Sequence, residues 1–362
     1  MKVAFTNSIF FKQKYGGISR YFCSIINELI SANVNLKVFS LIFKNNYLLK
    51  IPKKNRQGVF VPRYPVSNFF ENQIEKVLNY QIQNSSYDIV HETYYSKEFL
   101  KLKGKKKVIT VYDLIHERFD KLYKNNNFYF KKKIIEESDA IICISNNTKN
   151  DLIKYYKVPE KKIFVTYLGS NHLIDDPKDT TFKNLSLPKN FILFVGSRLK
   201  YKNFRFFIES YASSKLINEE FEIVCFGDEN FSNDEKTFFS KLNVDKKIYY
   251  YKGSDHLLSV LYKKAKLFIF PSQYEGFGIP LVEAMFLGCP VLASDINVFK
   301  EIGENGINYF INNDRNNLAE NLEYLLKNEK NLYSKVSLAK KISEKYSWKN
   351  CANQTLEVYN KI

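Results

Sequence analysis

Two loops in this 362-residue chain carry residue types suited to holding a phosphorylated, hydroxyl-rich ligand. The first runs Pro271-Ser-Gln-Tyr-Glu-Gly-Phe-Gly-Ile-Pro-Leu-Val-Glu283. It follows an apolar run of strand length, Leu267–Phe270, and leads into a helix expected near Pro280, because proline suits the first helical position. Gly276 and Gly278, on either side of Phe277, let the backbone approach a ligand closely and present N–H groups beside a helix N-terminus. Glu275 in the loop and Glu283, expected on the helix's opening turn, are acceptors for sugar hydroxyls, while the amides suit phosphate. One glutamate alone would read as electrostatic helix capping. The whole run reads as a site.

The second loop is Phe191-Ile-Leu-Phe-Val-Gly-Ser-Arg-Leu-Lys-Tyr-Lys-Asn203. Arg198 and Lys202 fall between a strand and a helix start, where two cations and a helix dipole could hold a diphosphate. A lone basic residue would read as solvated surface charge. Placement at a strand's C-terminal end favours function.

The elements that must position these loops follow an α/β grammar: short apolar runs alternate with amphipathic stretches, as in a parallel sheet covered by helices. Val3–Thr6, Asn35–Ile42, Ile89–His91, Val108–Tyr112, Ala140–Ser145 and Lys162–Tyr167 read as strands of a first half. Helices are expected after Gly16-Gly17 and over 147–156. A polar stretch from Gly169 to Asn190 reads as a linker. Phe191–Val195, Glu222–Phe226, Ile248–Tyr251, Leu267–Phe270 and Pro290–Ala293 repeat the pattern, with Asn203 as an N-cap. Two Rossmann-like, doubly wound domains are therefore expected, 1–170 and 171–345, with a C-terminal helix in 346–362 packing back on the first. Ligands of such sheets sit at strand C-terminal ends, in a cleft.

Composition narrows the class further. Hydrophobic residues make up 45% and aromatics 16%, too apolar for a disordered chain. No apolar run approaches the ~20 residues of a membrane span, and the polar break at Thr6, Asn7 and Ser8 points to an uncleaved cytosolic start. Five cysteines, widely spaced and odd in number, fit a reducing compartment rather than a disulfide scaffold or zinc site. Of the net charge of +17, residues 1–180 carry +13, densest at Lys101–Lys107 and Lys131–Lys133. That excess can face an anionic membrane or a phosphorylated substrate; lysines merely solvated in a Lys- and Asn-rich composition are the plain alternative. No zinc-finger spacing, RNP-like sequence or arginine stripe supports nucleic acid.

Taken in order, the two loops, Gly16-Gly17-Ile18-Ser19-Arg20-Tyr21, Val111-Tyr112-Asp113-Leu114-Ile115-His116, Cys143-Ile144-Ser145-Asn146, Gly227-Asp228 and Ser347-Trp348 resemble the family 4 (group 1) glycosyltransferases over nearly the whole chain. The resemblance implies the GT-B fold and a retaining glycosyltransferase with no bound metal or other cofactor. It would move sugar from a nucleotide-sugar donor to a glycan or lipid-linked saccharide of surface polysaccharide, in the cytoplasm or at the inner face of its membrane. It implies Arg198 and Lys202 as the pyrophosphate clamp, Glu283 on the ribose, and Glu275 with the Gly276–Gly278 amides on the donor sugar. Leu281 would border the nucleoside, and Gly16 and Gly17 would lie near donor phosphate and acceptor. Relatives often carry His-Asp where this chain has Tyr112-Asp113, so His116 either supplies the imidazole or makes a structural hydrogen bond. His91 could line the acceptor side; His172 and His256 have weaker claims. Tyr201-Lys202-Asn203-Phe204 resembles bacterial mannosyl- or rhamnosyltransferases, which makes GDP-mannose the first donor candidate beside UDP-sugars and dTDP-rhamnose. Another GT-B activity, such as an epimerase or phosphorylase, and a non-catalytic glycan-binding module are the rival readings.

Overall fold

The computed structural model describes residues 1–63, 68–119, 128–170, 186–227 and 229–362. The chain divides into two compact units: residues 1–169 with 348–362, and residues 170–347. Most of the expected linker, residues 171–185, lies outside the described residues.

The first unit is built on β1 (Lys2–Phe5), β2 (Asn35–Val38), β3 (Ile42–Phe43), β4 (Val59–Phe60), β5 (Ile89–Glu92), β6 (Lys106–Val111), β7 (Ala140–Cys143) and β8 (Ile163–Val165). Its main sheet is parallel, in the order β2-β1-β5-β6-β7-β8. The stretch Asn35–Ile42, expected as one strand, is divided. Beyond Phe5 the chain of β1 turns into the helix Ser8–Lys12, so the strand beside it loses its partner after Phe39 and re-pairs as β3 with β4. The C-terminal helix Trp348–Lys361 packs on the helix Gly17–Ser31 of this unit.

The second unit holds β9 (Phe191–Val195), β10 (Glu222–Phe226), β11 (Ile248–Tyr251), β12 (Leu267–Phe270), β13 (Val291–Ser294) and β14 (Asn308–Phe310). All pairs are parallel, in the order β11-β10-β9-β12-β13-β14. Every residue of β9, β12 and β13 is buried, as expected of strands covered on both faces, and this is why they read as unbroken apolar runs.

The lysine clusters of the first unit are largely occupied. Lys105 Nζ donates to the carbonyls of Ser85 and Tyr87, at 2.7 and 2.8 Å. Lys107 Nζ donates to Leu100 O at 3.1 Å, and Lys131 Nζ pairs with Glu117 at 2.8 Å. Lys106, Lys132 and Lys133 face Asp139, Glu136 and Glu137 at 3.7–3.9 Å. These residues hold the unit together first, and only the looser surface pairs could yield to an outside anion.

Candidate active site

In the second unit the strand order reverses direction between β9 and β12. From β9 the chain winds outward through β10 and β11, and from β12 the other way through β13 and β14. The crossover helices leave to opposite sides of the sheet at such a point, opening a crevice at the strands' carboxyl ends. The two loops singled out by residue type are the ones that follow β9 and β12.

They are stitched together. Lys202, closing a 3-10 turn over Lys200–Lys202, places Nζ 2.5 Å from Oε1 of Glu275. Ser272 Oγ donates to the same oxygen at 2.8 Å. Among the described residues, Oε2 of Glu275 takes no hydrogen bond. Gln273 N donates to Tyr201 O at 2.8 Å, and its side-chain amide donates to Asn203 Oδ1 and Asn313 Oδ1 at 3.2 and 2.8 Å. Asn203 does precede the helix Phe204–Ser213, but with φ of 60° and no side-chain capping bond. Its amide joins Gln273 and Asn313 instead, fixing the Lys202 turn against the Glu275 loop. Gly196 closes β9 at φ 117°, and a Cβ on Gly227 would lie 2.9 Å from the Gly196 carbonyl, so the loops after β9 and β10 approach backbone to backbone. Asp228 lies outside the described residues.

Arg198 is not brought to the same carboxylate. Its Nε donates to Glu235 Oε1 at 2.6 Å, and Nη2 reaches the carbonyls of Glu229 and Asn230 at 3.0 and 2.9 Å. Its guanidinium also lies over the Phe231 ring, 4.9 Å from the centroid. Glu235 completes a capping box with Ser232 on the helix Asn233–Lys241. Burial pulls its pKa upward, but the hydrogen bonds and charge of Arg198 prevail and leave it below the ordinary carboxylate value. Glu235→Gln keeps a residue type that closes a capping box and removes the charge holding Arg198. If Arg198 serves a diphosphate, the variant should bind nucleoside diphosphate a few-fold more tightly by calorimetry. Unchanged affinity with a lowered Tm would make Arg198 a purely structural partner.

The helix after the second loop spans Ile279–Leu287, with Pro280 in its first turn and Gly278 before it at φ 98°. The φ of 98° favours glycine here, and a Cβ on Gly278 would also stand a tight 3.0 Å from Phe299 Cε1. Glu283 is the fifth residue of this helix, past the opening turn where it was expected, because the helix begins at Ile279 with Gly278 outside it. It is buried and accepts a 3.1 Å hydrogen bond from Tyr262 Oη. Burial and the Glu283 charge push the Tyr262 phenol well above its ordinary pKa, so it stays a donor. Leu281 has no exposed surface, and Phe277 packs edge-on against Tyr346, so both side chains serve the core as they stand.

The remaining candidates lie in the first unit. Gly16 caps the helix Gly17–Ser31, and one of that helix's first amides, Ser19 N, is already taken by Gln13 Oε1 at 3.2 Å. Asp113 Oδ1 accepts from Ile115 N at 3.1 Å, which starts the short helix Ile115–Arg118 carrying His116. His91 does not line an acceptor surface: it is fully buried on β5, with Nδ1 at 2.6 Å from Tyr359 Oη and Nε2 at 2.8 Å from Thr110 Oγ1. The run Ile89–His91 points its last residue inward because both faces of β5 are covered. In the second unit His256 is buried near the start of the helix Asp255–Lys264, and His172 lies outside the described residues. Residue types alone did not reveal Ser272, Tyr262, Asn313 or Glu235. Of these only Glu235 left a signal, the Ser-x-x-Glu spacing of a capping box.

Two Rossmann-type units, the second with cations and carboxylates gathered at its switch point, define a chain of the GT-B fold class. Solved structures agree over its full length. Sucrose-phosphate synthase from Thermosynechococcus elongatus superposes with TM-score 0.81 at 17% identity, covering 99% of this chain and 98% of that one. HepE from Anabaena, solved in complex with UDP and glucose, gives 0.77 at 16% identity with both chains covered completely. The family profile for glycosyl transferases group 1 matches residues 176–345, and that for glycosyltransferase family 4 matches residues 15–172. The chain belongs to the group 1 glycosyltransferases. An O-antigen chain mannosyltransferase of Salmonella typhimurium is 31% identical over 206 residues, 56% of this chain and 55% of that protein. The chain spans between half and two thirds of the lengths of the first curated relatives it matches.

Proposed function

We propose that this protein transfers a glycosyl group from a nucleotide-sugar donor to a glycan or lipid-linked saccharide in surface polysaccharide synthesis, with retention of configuration. The observation that carries the reading is the Lys202–Glu275 pair held at the switch point between β9 and β12, beside the glycines that open onto the helix Ile279–Leu287. A diphosphate entering there would draw Lys202 from Glu275 and release the carboxylate to sugar hydroxyls. Glu283, set by Tyr262, would take the ribose hydroxyls. In the transfer step the bond from the anomeric carbon to the β-phosphate oxygen breaks. The acceptor oxygen bonds to the same face, and its proton passes to the departing phosphate. The developing charge falls to Lys202, to Arg198 once exchanged from Glu235, and to backbone amides, which is electrostatic stabilisation needing no metal in the step. GDP-mannose is the first donor to test, in keeping with relatives named as mannosyltransferases of O-antigen chains. UDP-sugars stand next, since HepE is a UDP complex. The reaction would run at the inner face of the cytoplasmic membrane, where a lipid-linked acceptor is held.

The test is release of nucleoside diphosphate from a panel of activated sugars, with and without lipid-linked saccharides, in the presence of a chelator. Acceptor-dependent release from one donor, with product of retained anomeric configuration, is expected. Binding of nucleotide sugar without any release would support the glycan-binding reading, and product with altered sugar configuration but no acceptor would support an epimerase.

A further inference from the structure

The helix Asn68–Gln83 of the first unit buries Ile74, Leu78 and Ile82, which recur at helical spacing, yet it turns a second apolar stripe to solvent. Phe69 is 73% exposed and Tyr80 72% exposed, with Phe70 and Val77 exposed over less than half of their surface. At 100° per residue these four fall within about 100° of one another, along a rise of ~16 Å. Two aromatics left this open at the ends of one stripe are costly unless something covers them.

The charge around the stripe says what. The helix's two acids turn away: Glu71 pairs with Lys12 at 2.9 Å, and Glu75 accepts from Ser96 at 2.8 Å and from Ser8 at 3.3 Å. Lys76 lies exposed on the stripe's border. At one flank Gln83 exchanges two hydrogen bonds with the backbone of Lys103, at 2.8 and 3.0 Å, and the exposed Lys103 ammonium has no partner among the described residues. At the other, Gln57 donates to Gln81 at 2.7 Å, and the exposed Lys53 and Lys54 precede Gln57 by four and three residues in the chain. An aromatic stripe free of acids and bordered by exposed lysines matches a bilayer interface, with rings at the acyl boundary and ammonium groups among acidic headgroups. No helix among the described residues is long and apolar enough to cross a membrane.

We infer that this face seats the first unit on an anionic bilayer, with Phe69 and Tyr80 inserted and Lys53, Lys54, Lys76 and Lys103 on the headgroups. The inference rests on the reading that the acceptor is membrane-held, and it uses none of the residues of the transfer site. It also moves the expected contact away from Lys105–Lys107 and Lys131–Lys133.

The full chain should co-sediment with phosphatidylglycerol–phosphatidylcholine vesicles, and Phe69→Ser with Tyr80→Ser should lower its partition by about tenfold or more. Lys53→Glu with Lys103→Glu should do likewise at low salt, whereas Lys132→Glu should change little. As a check that does not depend on affinity, the indole introduced by Tyr80→Trp should be quenched by brominated acyl chains, against the background of the buried Trp348. Fluorescence of the Tyr80→Trp variant that stays unquenched on bound vesicles, or full binding by the folded double serine variant, would overturn the inference. So would a dimer that the serine changes dissolve in the absence of vesicle binding, since the occupant would then be a second copy. Transfer to a detergent-dispersed acceptor should survive the serine changes, so loss of vesicle binding alone leaves the proposed function standing.

Discussion

Lys202→Met is expected to lower kcat/KM by roughly 30-fold to 1,000-fold, the range for removing one positioned charge from a departing anion, about 2–4 kcal/mol. Methionine keeps the side chain's reach and loses only the ammonium. The same change strands Glu275, which is 8% exposed and would keep Ser272 as its hydrogen-bond donor. A buried carboxylate deprived of its cation costs about 3 kcal/mol of stability, so the single variant should also melt early. Glu275→Gln in the same chain removes the stranded charge and retains an oxygen for Ser272. The double variant should therefore recover most of the lost Tm and none of the lost transfer. The recovered Tm would trace the single variant's early melting to the stranded charge; because Glu275 is itself placed on the donor sugar, the part Lys202 plays on the leaving group is read from kcat/KM of the folded single variant. Normal turnover by folded Lys202→Met would end the assignment.

The legibility of this molecule divides along physical lines. β9, β10, β11 and β12 run over the residues read from the sequence; of these β9 and β12 are buried throughout, and a strand covered on both faces must be apolar at every position and leaves a continuous signal. The run Asn35–Ile42 misled because its break depends on where β1 ends, a property of a neighbour 30 residues away in sequence. Loop residues were legible by type, since glycines, carboxylates and cations at a strand's end have few other uses. Their pairing was not. Arg198 and Lys202 stand four apart and looked like a single clamp, yet Arg198 is drawn to Glu235 by the capped helix Asn233–Lys241 while Lys202 turns to Glu275. The decisive partner of each is supplied by a different crossover, and no local pattern encodes which carboxylate a cation reaches. His91 shows the same limit, because its strand end was visible but its cover, Tyr359, comes from the far C-terminal helix.

His91 and Glu92, neighbours at the end of β5, should give the first unit a stability plateau bounded by two opposed slopes. Burial pushes the His91 imidazole down to about 3 from its ordinary 6.5. Between those values the unfolded chain binds the proton and the folded one does not, so stability is full above pH 6.5 and is lost as the pH falls. Glu92 moves the other way. Burial, with the nearby Glu75 charge, lifts it to about 8 from 4.5, against hydrogen bonds from Thr6, Ser8 and the Tyr94 amide. From 4.5 to 8 the folded chain holds the extra proton, so stability falls as the pH rises. The two slopes, each about 1.4 kcal/mol per pH unit at most, cancel between 4.5 and 6.5, leaving a rise below that window and a fall above it. Trp348, the single tryptophan, is buried in this unit and reports its unfolding, so urea titrations across the pH range read the profile directly. Glu92→Gln keeps an acceptor for Thr6, whose hydroxyl donates at 2.7 Å, and should remove most of the alkaline fall while leaving the acid slope. At pH 8 the variant should be more stable than wild type, and at pH 4.5 about equal to it. A wild-type profile that stays flat from 6.5 to 8, or a variant that keeps the full alkaline fall, would show that Glu92 is ionised in the folded protein and that its burial is relieved by a route other than the proton.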